Sequence, residues 1–462
     1  MKQFDPLETV SYISKKTVLD SLIIMEGDRL IYEGYFNGFS KEKLHRLFSV
    51  TKTMTAIAVS SLEKEGLIHL DDPIIKYFTQ FTPRNVDKRI AEMTIADCLA
   101  MKTCYIKTTY DKKSNTKDWV ESFFIANPDK DPGTLFNYDT SSAHVLAALV
   151  ENISGRSLLD YLKEKILCFT GFSEDSYIVK DPFGVSMGGS GLVGTSRDLL
   201  ILTRLLSEGG SYICTDGIKR CLINPSFLMH ATQFLTDTRL TANKSLLSMG
   251  YGDMVWHEKH GGYFLYGMGG QFGFSFPLRS GENLYVITTA DTQGNAAGDE
   301  QIYEAICEQV LPHFNLEEKR TVPENRDPAP FLKIMSENIS YKLEENPYWS
   351  ELSFSFDKEE KQGFLHLRAK DENINSETIT FAFDHANEGR LKYLDTPVRT
   401  TALVTLDGHL YINIRLVGEY TGSIRMEFVF TKALARLNMA FKKIEETWYD
   451  QFNGYFSGDK EK

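Results

Sequence analysis

The sequence of 462 residues has no excess of basic residues, no long apolar run and no apolar leader. Its formal net charge is −12 and its pI about 5.4, which argues against nucleic acid or an anionic membrane as a partner, because phosphate binding requires a basic surface. No stretch approaches the roughly 20 apolar residues that span a bilayer. The start, MKQFDPLETV, has no apolar segment after its lysine, so we expect a cytoplasmic protein, unless the chain was cut from a longer precursor.

Cysteine is scarce, and its spacing excludes a disulfide scaffold or a cysteine metal site. None of the six cysteines forms a Cys-x-x-Cys pair, so we expect small buried hydrophobic residues at Cys98, Cys104, Cys168, Cys214, Cys221 and Cys307. His257 and His260 lack the i, i+4 spacing of a zinc-binding helix. The sequence therefore predicts no metal and no organic cofactor.

The length and the hydrophobic periodicity indicate at least two domains, since a chain this long exceeds one ordinary core. Residues 17–36 predict a β-hairpin, and strand patterns return at 262–290. Between them, residues 53–65, 140–153 and 196–207 have the apolar spacing of helices. This order predicts an α+β fold, in which helices flank an antiparallel sheet and a mainly helical subdomain lies in the middle of the sequence.

A different pattern follows this region. Residues 315–330 are charged, contain three prolines and predict a linker between a domain at 1–314 and a second domain at 331–462. The second domain alternates polar and apolar residues in many short runs, which predicts an all-β sandwich or barrel. The segment 432–447 fits either a helix or two strands.

One Ser-x-x-Lys string has an environment suited to catalysis. The string occurs at Ser49–Lys52, Ser40–Lys43 and Ser114–Lys117, but the latter two lie in strongly charged segments. Ser49 instead precedes the uncharged run 53–62, whose apolar spacing predicts a helix buried nearly all round. Lys52 would then be the only charge over about three helical turns, one turn from Ser49 on the same face.

Burial of Lys52 would give this pair a chemical function. Burial disfavours the ammonium form, so a lysine can be neutral near pH 7 and accept a proton from a neighbouring hydroxyl. The helix N-terminus at Ser49 would also stabilise a developing oxyanion. The alternative is an N-cap serine beside a lysine whose amine extends to solvent.

A second polar group precedes another uncharged helix. In residues 132–140, a Pro-Gly turn leads to Tyr138, directly before the uncharged run 140–150. Alone, Tyr138 would be interpreted as a packed aromatic residue.

Two other candidates are weaker. Gly184–Gly188 reads Gly-x-Ser-x-Gly without the strand and helix that a nucleophile elbow requires, and His144 on the uncharged helix is typical of a core histidine.

Together these motifs resemble the superfamily of serine β-lactamases, esterases and penicillin-binding proteins, especially its class C-like and 6-aminohexanoate-oligomer-hydrolase-like members. Ser49–Lys52 is similar to the nucleophile motif, and Tyr138 takes the position of the motif tyrosine. The similarity extends in order over about 10–312, through 63–78, 132–158, the glycine-rich 186–199 and a third motif at 266–271.

The resemblance implies a role for each matching residue. Ser49 would attack the substrate carbonyl, and Lys52 and Tyr138 would share the proton transfers. The backbone N–H groups of Ser49 and Met268 would bind the oxyanion; a shifted register would replace Met268 with Gln271. Substrate-binding positions are implied at Thr140, Tyr266 and Gly267.

Departures from the family pattern bear on the substrate. Leu265-Tyr266-Gly267 stands where Lys-Thr-Gly would supply a cation, so charge-assisted binding worth about 1.5–3 kcal/mol is missing. The tyrosine motif ends in Thr140 instead of an amide residue. We therefore expect a serine hydrolase for a small ester or amide, including short peptides. The alternatives are a β-lactamase or D,D-peptidase, and a non-catalytic sensor or scaffold. A homo-oligomer is compatible with the sequence.

Overall fold

The chain folds into two units, each built from separate stretches of the sequence. A computed structural model describes residues 4–81, 85–111, 116–232, 236–317, 325–359, 361–371, 375–392, 395–419, 421–444 and 450–461. The first unit comprises 1–128 and 136–322, and the second comprises 129–135 and 323–462. Of the predicted linker 315–330, residues 318–324 lie outside the described residues.

The first unit is organised around a six-stranded antiparallel sheet. Its strand order is β2-β1-β11-β10-β9-β8, so the strands near both ends of this unit's sequence meet in the centre of the sheet. A three-stranded sheet has the order β3-β5-β4, and β6 pairs with β7 in a two-stranded sheet. The strands of this unit are Val18–Glu26 (β1), Arg29–Tyr35 (β2), His45–Arg46 (β3), Tyr177–Ile178 (β4), Leu192–Gly194 (β5), Ser211–Ile213 (β6), Lys219–Cys221 (β7), Trp256–His257 (β8), Tyr263–Gly267 (β9), Gln271–Pro277 (β10) and Asn283–Asp291 (β11).

Helices supply the rest of the first unit. They are Pro6–Ser14 (α1), Val50–Lys64 (α2), Lys88–Glu92 (α3), Ile95–Leu99 (α4), Trp119–Ile125 (α5), Thr140–Ser154 (α6), Leu158–Lys165 (α7), Ser196–Leu205 (α8), Pro225–Thr232 (α9) and Gly298–Ala305 (α10). Helix α2 is buried along nearly its whole surface and packs against α6, α7, α8 and β9. No helix among the described residues combines the length and the apolar character needed to cross a bilayer.

Most of the sequence-based expectations for this unit are confirmed. The hairpin, the three helices and the later strands form where the periodicity predicted them, and the α+β class is correct. The cysteine prediction is wrong in part. All six thiols are free, but Cys307 is only partly buried, and Cys168 and Cys221 are exposed, since Cys168 lies in the short 3₁₀ turn Leu167–Phe169 and Cys221 ends a strand of the two-stranded sheet.

The second unit is the predicted all-β domain. One helix, Ala329–Met335 (α11), precedes a ten-stranded antiparallel sheet with the order β15-β14-β13-β12-β21-β20-β19-β18-β17-β16. Its strands are Ile339–Leu343 (β12), Trp349–Asp357 (β13), Gln362–Ala369 (β14), Glu377–Phe381 (β15), Asn387–Leu391 (β16), Thr396–Val404 (β17), Leu410–Leu416 (β18), Ser423–Thr431 (β19), Arg436–Ile444 (β20) and Gly454–Lys460 (β21). The ambiguous segment 432–447 is therefore mainly strand; residues 445–447 lie outside the described ones.

A buried ionic cluster fixes the segment 129–135 within the second unit. The Asp131 carboxylate accepts hydrogen bonds from Arg436 Nε at 2.9 Å and Asn438 Nδ2 at 3.1 Å. Arg436 also lies 2.6 Å from Glu344, and its side chain is only 10% exposed. Nothing in the hydrophobic pattern indicated that this segment packs with strands 300 residues later.

Replacing Arg436 should destabilise the second unit. In Arg436→Met, Asp131, whose side chain is only 20% exposed, would keep its charge without the cation, which should cost about 2–3 kcal/mol. Arg368→Met is the matched control, since Arg368 pairs with Glu351 at 2.8 Å but is 72% exposed, and its loss should cost less than about 1 kcal/mol. Denaturant titration measures both changes, and equal losses would contradict the prediction.

Candidate active site

The N-terminus of α2 is held by a strained turn. Ser49 is the N-cap residue of α2, and Phe48 before it has a positive φ of 45°, which is unusual for a bulky residue. Two contacts fix this turn: Leu47 N–H donates to Leu192 O at 2.8 Å, and Thr51 Oγ1 donates to Phe48 O at 2.6 Å. The Ser49 hydroxyl makes no capping bond to its own helix, so it remains available for other partners.

Lys52 lies beside Ser49 with its amine removed from water. Its Nζ is 3.0 Å from Ser49 Oγ, 3.3 Å from Thr140 Oγ1 and 2.7 Å from Gly189 O. The residue is 1% exposed. Burial lowers the pKa of Lys52 to about 7, although the charge of Asp139 acts in the opposite direction. An amine with this pKa is deprotonated in a large fraction of molecules at neutral pH and can accept a proton.

Tyr138 is fixed by aromatic neighbours. Its ring stacks on Trp256 at a centroid distance of 5.6 Å and meets Tyr251 edge-on at 6.1 Å. Lys52 Nζ lies 4.8 Å from the centre of the Tyr138 ring. Burial raises the pKa of Tyr138 well above its ordinary value, and a hydrogen bond with Ser49 partly offsets this effect. The structure thus brings together Ser49, Lys52 and Tyr138, the three residues that the motifs identified.

Asp139 is part of this cluster, and the sequence analysis did not assign it a role. It caps α6, and its Oδ1 accepts from the backbone N–H of Ser141 at 2.9 Å and from Ser141 Oγ at 2.6 Å. Its Oδ2 is buried and has no hydrogen-bond partner among the described residues. Burial raises the pKa of Asp139. An acidic residue directly before an uncharged helical run is a typical N-cap signal, which could have identified it.

The glycine-rich segment supplies the Lys52 acceptor. A side chain at Gly188 would collide with Ala147 on α6, and one at Gly189 would collide with Thr140, so only glycine allows this approach. Gly189 O therefore reaches the Lys52 amine. Ser186 of the Gly-x-Ser-x-Gly string is buried in the strand-like stretch leading to this segment, and no helix follows it directly. Its interpretation as a coincidental match agrees with this geometry.

The third motif forms the turn between β9 and β10. Gly267 and Gln271 are paired, and residues 268–270 form the turn. A side chain at Gly267 would collide with Leu47 O, so this end of β9 lies against the turn before Ser49. β8 pairs with Tyr263 and Phe264, so the ladder between β8 and β9 ends before Tyr266 in the described part of the chain.

The two candidate oxyanion residues differ in environment. Met268 begins the turn and is 50% exposed. Gln271 is buried on an interior strand, and its side-chain amide donates to Gly269 O at 3.0 Å and Ala290 O at 2.7 Å. Of the two positions, Met268 is therefore the one that is open to solvent.

Two of the three substrate-binding candidates have side chains with protein partners. Thr140 Oγ1 is bonded to Lys52. The Tyr266 hydroxyl donates to Asp299 Oδ2 at 2.5 Å and is 3.4 Å from Lys244 Nζ. The Lys244 amine also contacts Asp299. An amine therefore lies at the third motif, although the motif itself has no lysine.

The remaining candidates lie outside this cluster. Ser40 is exposed and bonds to Glu42, and Ser114 lies outside the described residues. His144 Nε2 is 3.1 Å from Asp181 in the core, as the interpretation as a core histidine predicted.

Among the residues that the structure describes, one set of side chains that could hold a metal ion lies in the second unit. Asp407, His409 and Glu427 bring potential ligand atoms within 4.8 Å of one another. His409 Nδ1 is 2.6 Å from Glu427, which is the distance of a direct hydrogen bond. In the first unit, His260 Nδ1 is likewise 2.6 Å from Glu258.

Comparisons with known proteins identify relatives of this chain. The 6-aminohexanoate-dimer hydrolase of Paenarthrobacter ureafaciens is 24% identical over 212 residues, which are 42% of this chain and 54% of that protein. The chain thus spans about half the length of that curated relative. The structure is similar to a putative 6-aminohexanoate-dimer hydrolase from Bacillus anthracis, with 19% identity and a TM-score of 0.51 over 66% of this chain and 82% of that one.

A second structural similarity extends into the C-terminal region. SurE with D-Leu is 15% identical, with a TM-score of 0.54 over 94% of this chain and 96% of that one. At these identities, the structural similarities show the fold. The family model described as Beta-lactamase matches residues 15–310. The chain therefore belongs to the Beta-lactamase family, and it carries a C-terminal all-β domain in addition.

Proposed function

We propose that this protein is a serine hydrolase that forms an acyl-enzyme at Ser49 and acts on a small ester or amide. The observation that carries the proposal is the Lys52 amine, which is 1% exposed and 3.0 Å from Ser49 Oγ. Lys52 would act as the base, with Tyr138 sharing the proton transfers. No step in this mechanism requires a metal or an organic cofactor.

The hydrogen-bond inventory of Lys52 supports its role as a base. A neutral amine has two N–H donors and one lone pair. Gly189 O and Thr140 Oγ1 can accept the two donors, at 2.7 and 3.3 Å. The lone pair is then left for the hydroxyl proton of Ser49. An ammonium group would instead donate to Ser49 and make the serine a poorer nucleophile.

Acylation would use this arrangement in one direction and deacylation in the other. Ser49 Oγ attacks the carbonyl carbon as its proton moves to Lys52. The backbone N–H groups of Ser49 and Met268 hold the oxyanion, and the N-terminal end of α2 adds a favourable dipole. Tyr138 then relays a proton to the leaving group. In the second half, water attacks the acyl-enzyme with the same groups in the reverse roles.

The substrate class follows from the third motif and from the relatives. Leu265-Tyr266-Gly267 carries no cation of its own, which favours a substrate without a carboxylate at that point. The curated relative is named as a 6-aminohexanoate-dimer hydrolase, and we infer a small amide or peptide-like substrate for this chain as well. Nitrocefin turnover would instead favour a β-lactamase. We keep the expectation of a cytoplasmic protein, and the oligomeric state stays open.

Labelling by a fluorophosphonate probe should identify the nucleophile. Wild-type protein should gain one covalent adduct on Ser49, located by mass spectrometry, and Ser49→Ala should lose both the adduct and ester turnover. Ser186→Ala is the control, because Ser186 is the serine of the rival string, and this variant should still be labelled. An adduct on Ser186, or folded wild-type protein with no adduct, would refute the proposal; ligand binding without turnover would support a sensor.

Ester hydrolysis should increase with pH through the pKa of Lys52. Below a pH of about 7 the amine is protonated and cannot accept the Ser49 proton, so kcat/KM for 4-nitrophenyl acetate should fall about tenfold per pH unit. A pH–rate profile at fixed ionic strength measures this. A profile that is flat between about pH 5.5 and 8 would contradict a lysine base.

The same pKa predicts a change in stability that does not depend on turnover. Because the pKa of Lys52 is about 7 in the folded state and 10.5 in the reference state, the unfolded chain binds more protons between these values. The folded state should therefore gain stability as the pH rises. From about pH 7 to 9.5, the gain relative to Lys52→Met should be about 3 kcal/mol.

The Tyr138 hydroxyl should contribute to turnover beyond its packing. Tyr138→Phe keeps the stacking on Trp256 but removes the proton relay, so kcat should fall about 10²–10⁴-fold. Tyr251→Phe is the matched control, because that ring is buried beside Tyr138 and its hydroxyl donates to Met254 Sδ at 3.7 Å. Equal effects of the two changes would assign Tyr138 a structural role.

A further inference from the structure

An ion pair lies where the third motif lacks its lysine. Lys244, far from the motif in sequence, brings its amine to 3.4 Å from the Tyr266 hydroxyl and into contact with the Asp299 carboxylate. Tyr266 donates to the same carboxylate at 2.5 Å. The Lys244 side chain is 21% exposed and that of Asp299 only 4%, so the cation faces solvent more than its counter-ion does.

This ion pair is connected to the turn that contains Met268. Asp299 lies in the first turn of α10 and accepts a hydrogen bond from Thr292 Oγ1 at 2.7 Å. The backbone N–H of Thr292 in turn donates to Gly269 O at 3.3 Å. Asp299 therefore contacts residues on both sides of the turn, Tyr266 before it and Thr292 beyond it.

The pair also lies near the proposed catalytic residues. Tyr266 directly precedes Gly267, which packs against Leu47 O two residues before Ser49. Burial and the Asp299 carboxylate raise the pKa of Tyr266, and Tyr138 adds to this shift. A charge at Lys244 would thus act on a substrate bound between Ser49 and the β9 end.

We propose that Asp299 masks the Lys244 cation and thereby sets the charge selectivity of the cleft, which takes substrates that are uncharged at this end. The inference rests on the proposed hydrolase function and names its substrate class. A fixed carboxylate at hydrogen-bonding distance cancels most of the field of the amine, and a substrate carboxylate would have to displace it. Asp299 is accordingly a specificity-determining residue, and Lys244 is the cation that its removal would expose.

Two pairs of esters test the proposal with Asp299→Asn. One pair carries the charge on the acyl side, 4-nitrophenyl butyrate against 4-nitrophenyl hydrogen glutarate. The other carries it on the leaving group, phenyl acetate against 4-acetoxybenzoate. The measured quantity is the ratio of kcat/KM for the anionic ester to that for the neutral ester, because a general loss of activity cancels in it.

In Asp299→Asn the ratio should rise about tenfold or more for at least one pair, and added salt should reduce the gain. Glu300→Gln is the matched control, since Glu300 is the next residue on α10 and bonds Ser245, not Lys244. It removes the same charge and should leave the ratio unchanged. The double variant Asp299→Asn with Lys244→Met should return the ratio to the wild-type value.

If Asp299→Asn does not fold, Lys244→Met tests the proposal independently through the same ratio of kcat/KM values. It leaves Asp299 uncompensated, so the ratio should fall, and a trimethylammonium-terminated ester should gain relative to the neutral one. An unchanged ratio in a folded variant that still labels at Ser49 would overturn the proposal, as would an equal loss for all esters, which would indicate positioning of the turn. Failure of the hydrolase function itself would appear separately, as wild-type protein without a Ser49 adduct.

Discussion

The dehydration of one amine is the constraint on which the rest of the site depends. Lys52 can be buried because its helix, α2, is enclosed by other helices and by β9, and because Gly189 O and Thr140 Oγ1 can accept the two N–H groups of its neutral amine. A buried ammonium ion would cost several kcal/mol, so the group reduces this cost by releasing its proton. The desolvation that would otherwise weaken the fold thus prepares the base.

The parts of this arrangement that the sequence predicted are local. Ser49 and Lys52 are one helical turn apart, and the uncharged run 53–62 that follows them indicates that their helix is buried. The partners that were missed are distant in the chain: Gly189 is 137 positions from Lys52, and Trp256 reaches Tyr138 from another element. Hydrophobic periodicity carries no information on contacts between distant residues. Of the residues that were missed, Asp139 alone could have been identified locally, from its position as the N-cap of α6.

At the third motif, the local sequence does not predict which charges the fold brings there from elsewhere in the chain. The absence of Lys-Thr-Gly correctly indicated that the strand itself supplies no cation, but it did not exclude one from elsewhere in the fold. Lys244 provides that amine, and Asp299 neutralises it at the same place. The expectation of an uncharged substrate therefore persists for a different physical reason, a compensated ion pair instead of a missing charge. A compensated ion pair differs from a site without charges, because a single substitution can remove one partner and leave the charge of the other.

The site also contains backbone and side-chain features that cost stability. Phe48, Met101 and Met254 have positive φ angles, each costing roughly 1–2 kcal/mol for a residue with a side chain. The carbonyl group of each accepts a hydrogen bond from a residue near the catalytic candidates. Phe48 O accepts from Thr51 Oγ1, Met101 O from the Asn137 N–H and Met254 O from Thr53 Oγ1. The buried, unpaired Oδ2 of Asp139 adds a further cost. Strain of this kind persists only where many surrounding contacts fix the backbone, and the nearly continuous burial of α2 and α6 provides those contacts. The rigidity of the helical region is therefore a condition for the geometry at Ser49.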